Sequence, residues 1–265
     1  MIKLIASDLD GSLLNEKREL TDFTKEIVRR AVAQGKIFLM ATGRSFTGSV
    51  RFAKEVGLDL PMLCFNGSLV KLGLTKKMLF EHKVKAETAQ KVLSFAREKG
   101  YHLQYYIGDE VYCYAKNKYT ELYKERIGVE VTALGEDFYK LKEAPYKLLI
   151  ALEPLDQLPI CKIVQEAFKD SLEVTPSSED YLELMEPGVN KWSTLKFIAE
   201  SYGIKPEEIM SFGDSGNDLT MVKYAGLGVA MGNAHENIKE AAKLIAASNE
   251  EDGVAKEVEK ILALD

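Results

Sequence analysis

Short, solid apolar runs alternate with stretches of 3.6-residue periodicity along the first third of the chain. Ile2–Ser7 is an apolar run bounded by turn residues, the pattern of a buried strand. Thr21 is placed to cap a helix running to about Gln34. Ile27, Val28, Ala31 and Val32 share one face of it, and Gly35 ends it. Lys36–Ala41 predicts a second strand, Ser45–Val56 a second helix and Met62–Phe65 a third strand. A βαβαβ order predicts a parallel sheet with helices on both faces. Asn66-Gly67 then opens a hairpin-like segment reaching toward residue 82.

The last third repeats this logic. Lys191–Tyr202 predicts a helix, with Trp192, Leu195, Ile198, Ala199 and Tyr202 at helical spacing. Glu208–Phe212, Leu227–Ala230 and Leu244–Ala247 predict strands, and Asn217–Tyr224, Asn237–Lys243 and Val254–Leu262 predict helices. The middle differs. Helices such as Thr88–Lys99 alternate there with aromatic strands (YHLQYYIG, EVYCYA, YKLLIAL, YLELMEP), and ten of the 12 tyrosines fall in it. That density marks a separately built module, so the organisation expected is a discontinuous core, 1–82 plus 188–265, with an α/β domain inserted at 83–187. Tyr101, Tyr105, Tyr112 and Tyr114 are expected mainly to fill strand faces, where aromatic rings pack well.

Composition narrows the class. The net charge of −6 is spread along the chain, with no basic patch for nucleic acid and no polybasic run for an anionic membrane. No stretch approaches the roughly 20 apolar residues of a membrane helix, and the start lacks the apolar core of a signal peptide. Cys64, Cys113 and Cys161 are odd in number and far apart, which reads as reduced thiols in a cytoplasmic protein. Asn66-Gly67-Ser68 matches a glycosylation sequon, a match without meaning unless the chain is secreted.

The chemistry gathers in four segments, each expected where a strand ends and a loop begins: Asp8-Leu9-Asp10-Gly11, Ala41-Thr42-Gly43-Arg44, Gly188-Val189-Asn190-Lys191 and Gly213-Asp214-Ser215-Gly216-Asn217-Asp218. Ligands of open parallel sheets bind beyond the carboxyl ends of the strands, so distant segments converge there. In an extended strand Asp8 and Asp10 would face the same way and repel unless a cation lay nearby. Clustered oxygens of this kind suit Mg²⁺, which takes one or two carboxylates with water and substrate phosphate. Beside such an ion the Thr42 hydroxyl and the Lys191 ammonium would hold phosphoryl oxygens, and a carboxylate could act as nucleophile. Gly11 lets the backbone approach phosphate closely.

DLDGSLL, ATGR, GVNK and GDSGNDLTM together resemble the four motifs of the haloacid dehalogenase-like hydrolases. Their spacing, the large insert, and the later VAMGNAHENIKEAA and EEDGVAKEVEK resemble the Cof-like sugar-phosphatase branch. The resemblance implies a Rossmann-like core with an α/β cap, and a phosphatase acting on a small phosphorylated metabolite. It implies Asp8 as nucleophile and Asp10 as general acid and then base, with Asp10 also offering its backbone carbonyl to Mg²⁺. Thr42 and Lys191 match the phosphoryl-holding hydroxyl and cation, with Gly11 and Gly43 beside the phosphate. Asp214 matches a direct metal ligand, Asp218 a supporting acid, and Asn217 a polar contact to phosphate or metal-bound water. Arg44 either contacts substrate or pairs with an acid. Two residues depart from the pattern. Ser12 stands where Thr is usual, and Trp192 where a small residue is usual, which predicts a narrowed pocket or packing beneath the cap.

Each residue also has a plainer role. Asp8 and Asp10 alone describe a solvated turn, Thr42 a loop hydroxyl, Lys191 a surface lysine, and Asp214, Asn217 and Asp218 helix caps. Other motifs fail outright. Gly43–Gly48 has P-loop spacing with Ser49 in the lysine position, Gly226-Leu227-Gly228 lacks its final glycine at Met231, and His82, His102 and His235 are too scattered for zinc. The rival readings are a phosphomutase, a phospho-receiver domain, for which the chain is too long, and a non-catalytic phospho-ligand-binding protein.

Overall fold

Strand β1 (Leu4–Asp8) is buried at every position, as a strand flanked on both sides and covered on both faces must be. The computed structural model describes residues 1–264, which divide into two compact units: Met1–Glu81 with Asn190 onward, and His82–Val189. In the first, β1 leads to α1 (Asp22–Ala33), whose N-cap Thr21 accepts a hydrogen bond from the Thr24 amide at 3.0 Å. β2 (Ile37–Ala41) and α2 (Phe46–Val56) follow. Ser45 caps α2 at one end, and Gly57 closes it in the left-handed conformation. Next come β3 (Pro61–Cys64), a tight turn at Phe65–Gly67, β4 (Leu69–Leu72) and β5 (Met78–Glu81).

The second unit contains α3 (Ala86–Lys99), β6 (His102–Ile107), β7 (Glu110–Cys113), α4 (Lys118–Ile127), β8 (Val131–Ala133), β9 (Leu148–Ala151), α5 (Gln157–Phe168), β10 (Glu173–Ser178) and β11 (Tyr181–Met185). Its sheet runs in the order β10-β11-β9-β6-β7-β8 and is antiparallel except for β7 against β8. Alternate residues Leu103 and Tyr105, Leu148 and Ile150, and Leu182 and Leu184 share a core with Val92 and Ala96 of α3 and Val164 and Phe168 of α5. The tyrosines divide: Tyr105 and Tyr106 are buried, whereas Tyr114 is exposed.

The chain then returns to the first unit through α6 (Lys191–Ser201), β12 (Ile209–Gly213), α7 (Leu219–Tyr224), β13 (Leu227–Ala230), α8 (Glu236–Ala241), β14 (Leu244–Ile245) and α9 (Gly253–Leu262). This sheet runs β14-β13-β12-β1-β2-β3-β4-β5. It is parallel from β14 to β3 and antiparallel through β4 and β5. The connections wind one way from β1 to β2 and the other way from β12 to β13, so the topological switch lies between β1 and β12. The fold is thus a Rossmann-like α/β sheet carrying an inserted α/β unit.

Two expected elements are shorter than their sequence patterns. The helix expected from Asn217 begins at Leu219, because Asp218 accepts hydrogen bonds from the Asp214 and Ser215 amides and holds Gly216–Asp218 as a separate 3₁₀ turn. The last strand keeps only Leu244 and Ile245. Trp192 packs within the first unit, against the core that includes Leu195 and Ile198, with its ring 6.1 Å from that of Tyr224. All three cysteines are buried, and none of them forms a disulfide. Among the described residues no helix is long and apolar enough to cross a membrane.

Candidate active site

Register places the first acid. Asp8 ends β1 opposite Ala41 of β2, so Thr42 begins the loop beside it; on the other side Ser7 pairs with Phe212, one residue before Gly213 and two before Asp214. The carboxyl ends of β1, β2 and β12 therefore present Asp8, Thr42 and Asp214 along one edge, at the switch point. Lys191 arrives as the first residue of α6, anchored by Asn190, whose carboxamide accepts from the Ser193 amide at 2.9 Å.

The Lys191 side chain is fully buried, with Nζ 2.5 Å from Asp8 Oδ1 and 2.7 Å from Asp218 Oδ1. Asp8, Asp214 and Asp218 each offer a carboxylate oxygen within 4.8 Å of the others. Ser12 Oγ donates to Asp214 Oδ1 at 3.3 Å. Gly11 has φ +80°, and a Cβ there would lie 2.5 Å from Asp214 Oδ2, so the close approach of these two loops requires glycine.

Three carboxylates face one ammonium in this buried cluster. Burial, then the neighbouring Asp218 and Asp214 charges, raise the Asp8 carboxyl well above its ordinary range against the pull of Lys191. Burial and Asp218 push Asp214 up to about 7. Burial alone would lower Lys191, but the attraction of Asp218 and Asp8 carries it above its usual value. Surplus negative charge on hard oxygen donors is the condition a divalent cation relieves, and Mg²⁺ fits this donor set.

Asp10 lies apart from that cluster. The strand ends at Asp8, so the two side chains are not held on one face. The Asp10 carboxylate turns instead to Arg44, receiving Nε at 2.6 Å on Oδ2 and Nη2 on Oδ1. The guanidinium is buried while the Asp10 side chain is 42% exposed. Of the two roles open to Arg44 in the sequence, the geometry shows acid pairing. The strongest repulsions on Asp8 accordingly come from Asp218 and Asp214, with Asp10 the weakest of its charged neighbours. Thr42 is buried, with its hydroxyl accepting from the Arg44 amide at 3.1 Å. Asn217 donates through Nδ2 to Asn66 Oδ1 at 3.0 Å.

Two neighbours of the site lie outside the four motif segments. Asn233 donates to the Gly11 carbonyl at 2.8 Å, and Asn66 reaches Asn217. The signal for Asn66 was present as Asn-Gly directly after a strand, which also fits an ordinary hairpin turn. Asn233 lies in the VAMGNAHENIKEAA stretch that resembles the Cof-like branch, but that resemblance implies no contact for it.

The profile of the haloacid dehalogenase-like hydrolase family matches residues 5–258. The chain belongs to this family of enzymes. It is 32% identical over 257 residues to the 5-amino-6-(5-phospho-D-ribitylamino)uracil phosphatase YcsE of Bacillus subtilis, covering 97% of this chain and 94% of that protein. Its structure resembles a haloacid dehalogenase-like hydrolase from Bacteroides thetaiotaomicron, with a TM-score of 0.87 and 30% identity over 98% of this chain and 100% of that one. TM0651 from Thermotoga maritima superposes with a TM-score of 0.85 and 30% identity, covering 98% and 97% of the two chains.

Proposed function

We propose that the protein is a Mg²⁺-dependent phosphatase hydrolysing small phosphomonoesters, sugar and sugar-alcohol phosphates among them. The observation that carries this reading is the cluster of the Asp8, Asp214 and Asp218 carboxylates at the sheet's switch point, with the buried Lys191 ammonium bonded to Asp8 and Asp218. In a family of hydrolases, a nucleophilic carboxylate beside a buried cation suits phosphoryl transfer, which needs positioning and charge neutralisation above all. The name of the Bacillus relative describes a phosphate ester on a ribityl chain, which supports a polyol-like leaving group.

In this reading Asp8 attacks phosphorus in line, forming an aspartyl-phosphate as the ester P–O bond breaks. Asp10, once it leaves Arg44 and takes up a proton from solvent, gives that proton to the departing alcohol oxygen, then takes one from the water that attacks the phosphorus of the aspartyl-phosphate. That second attack releases inorganic phosphate and restores the Asp8 carboxylate. Thr42 and Lys191 hold phosphoryl oxygens, and the Gly11 and Gly43 backbone leaves room for them. Asp8, Asp214 and the Asp10 carbonyl would hold Mg²⁺, with Asp218 fixing the loop behind them. The ion would supply charge neutralisation for the phosphoryl group. The second unit serves as a cap that chooses the substrate and excludes water on closing.

Phosphate release from p-nitrophenyl phosphate tests this: it should require Mg²⁺, stop with EDTA and vanish in Asp8→Asn. Full activity in Asp8→Asn rejects the nucleophile. A panel of sugar and polyol phosphates identifies the substrate class, and isomerised sugar phosphate without free phosphate would make the protein a mutase.

A further inference from the structure

The turn at Phe65–Gly67 belongs to none of the four motif segments, yet it touches three of them. The Phe65 amide donates to the Arg44 carbonyl at 2.9 Å, and the Asn66 amide to the Thr42 carbonyl at 3.0 Å. Thr194 Oγ1, one turn into α6 from Lys191, donates to the Gly67 carbonyl at 2.9 Å. A Cβ on Gly67 would lie 2.6 Å from the Asn190 carbonyl oxygen. The carboxamide of Asn66 completes the set. Its Oδ1 accepts from Asn217 Nδ2 at 3.0 Å, while Asn217 Oδ1 accepts from Ser215 Oγ at 2.7 Å. The same Oδ1 lies 3.1 Å from where a Cβ of Gly43 would stand.

This arrangement is held against local preference. Phe65 has φ 49° and Asn66 φ 54°, two successive residues with side chains in the left-handed region. Asparagine tolerates that region better than most residues, whereas a bulky phenylalanine does not. Such backbone persists where the surroundings over-determine it, and it gathers at functional sites. Asn66 is only 6% exposed, so the sequon asparagine is enclosed in the folded protein.

We propose that Asn66, carried on this strained turn, is a positioning residue for phosphoryl transfer, fixing Asn217 and the Thr42–Gly43 backbone where the phosphoryl group is received. The proposal rests on the phosphatase reading. Asn217 donating to Oδ1 sets the direction of the Asn66 carboxamide dipole, and Ser215 sets that of Asn217. The chain Ser215–Asn217–Asn66 thus transmits the shape of the loop after β12 to the loop after β2.

Asn66→Gly separates this role from a merely structural one, because glycine adopts the left-handed conformation without steric strain while losing the carboxamide. The variant should unfold within a few degrees of the native protein, with the lost carboxamide contact partly offset by relief at the left-handed position. Its kcat for p-nitrophenyl phosphate should fall on the order of 10- to 100-fold, with KM moving less than about threefold. Asn217→Ala should cause a similar loss, and the double variant little more than either alone. An Asn66→Gly protein with native kcat, or losses that multiply in the double variant, overturns the proposal. If the native protein releases no phosphate from any ester, the phosphatase reading fails by itself. The positioning role is then read from thermal protection by inorganic phosphate with Mg²⁺. Protection weakened in Asn66→Gly sustains the role, while equal protection, or none in the native protein, overturns it.

Discussion

Asp214 shows how one side chain ties stability to metal. Its carboxyl sits near pH 7 in the metal-free protein because burial and Asp218 oppose its charge. A folded-state value raised above that of the unfolded chain favours the fold while the group stays protonated, and this contribution is lost as pH rises through about 7. The metal-free protein should therefore lose on the order of 2–4 kcal/mol between about pH 4 and pH 8 from this group. Mg²⁺ binds the ionised form, so the gap between unfolding temperatures with Mg²⁺ and with EDTA should widen from pH 5 to pH 8. A gap independent of pH would contradict it. Gly11→Ala tests the adjacent contact. A Cβ 2.5 Å from Asp214 Oδ2, at a backbone angle unfavourable for alanine, should cost about 1–2 kcal/mol and weaken Mg²⁺ binding, as calorimetry would show. Residue identity was readable from the chain at this scale, but side-chain direction was not. Asp8 and Asp10 look equivalent in DLDG; the end of the strand and the buried Arg44 separate them, and both are tertiary facts.

At the scale of elements, two ends deserve measurement. Asn190 and Ser193 form a reciprocal capping box at the start of α6, the turn that delivers Lys191. Asn190→Ala should lower stability by about 1 kcal/mol and reduce turnover by loosening Lys191, with thermal unfolding and kcat as the readouts. In the second unit, His102 opens β6 with its ring 5.4 Å from that of Tyr119, and burial pulls its imidazole down to about 4. A lowered histidine value contributes stability above about pH 6.5 that is lost as pH falls toward 4. Native protein should lose about 2 kcal/mol across that window from His102, and His102→Gln should flatten the profile. Elements with one dominant pattern were the most readable: β1 from its short apolar run Leu4-Ile5-Ala6, and α1 from its cap, apolar stripe and closing glycine. The second unit was harder. α4 buries only Thr120 and Tyr123 across its ten residues, and α5 carries Pro159 in its first turn, so neither announces itself.

At the scale of the molecule, each unit encloses a hydrophobic core of its own. Replacing His82–Val189 with a short Gly-Ser linker should therefore leave a cooperatively unfolding protein that still binds Mg²⁺, since Asp8, Asp214, Asp218 and Lys191 all belong to the first unit. Failure of that protein to unfold cooperatively would mean that the first unit depends on the insert. The discontinuous plan was readable because the tyrosine-rich middle differs in composition from both flanks. The joining of separated strands into one sheet was readable only as a topological rule, because the chain itself does not state that β12 lies beside β1.

The buried thiols carry a practical consequence. Cys64 and Cys113 are fully enclosed and Cys161 nearly so, and burial pushes the Cys113 thiol up to about 11. The native surface is thus silent to maleimide dyes. One cysteine introduced on each unit could be labelled with a fluorescent pair, without removing any native residue. Energy transfer between the two dyes would then report, in real time and in single molecules, whether the units move apart and together as phosphate esters are added.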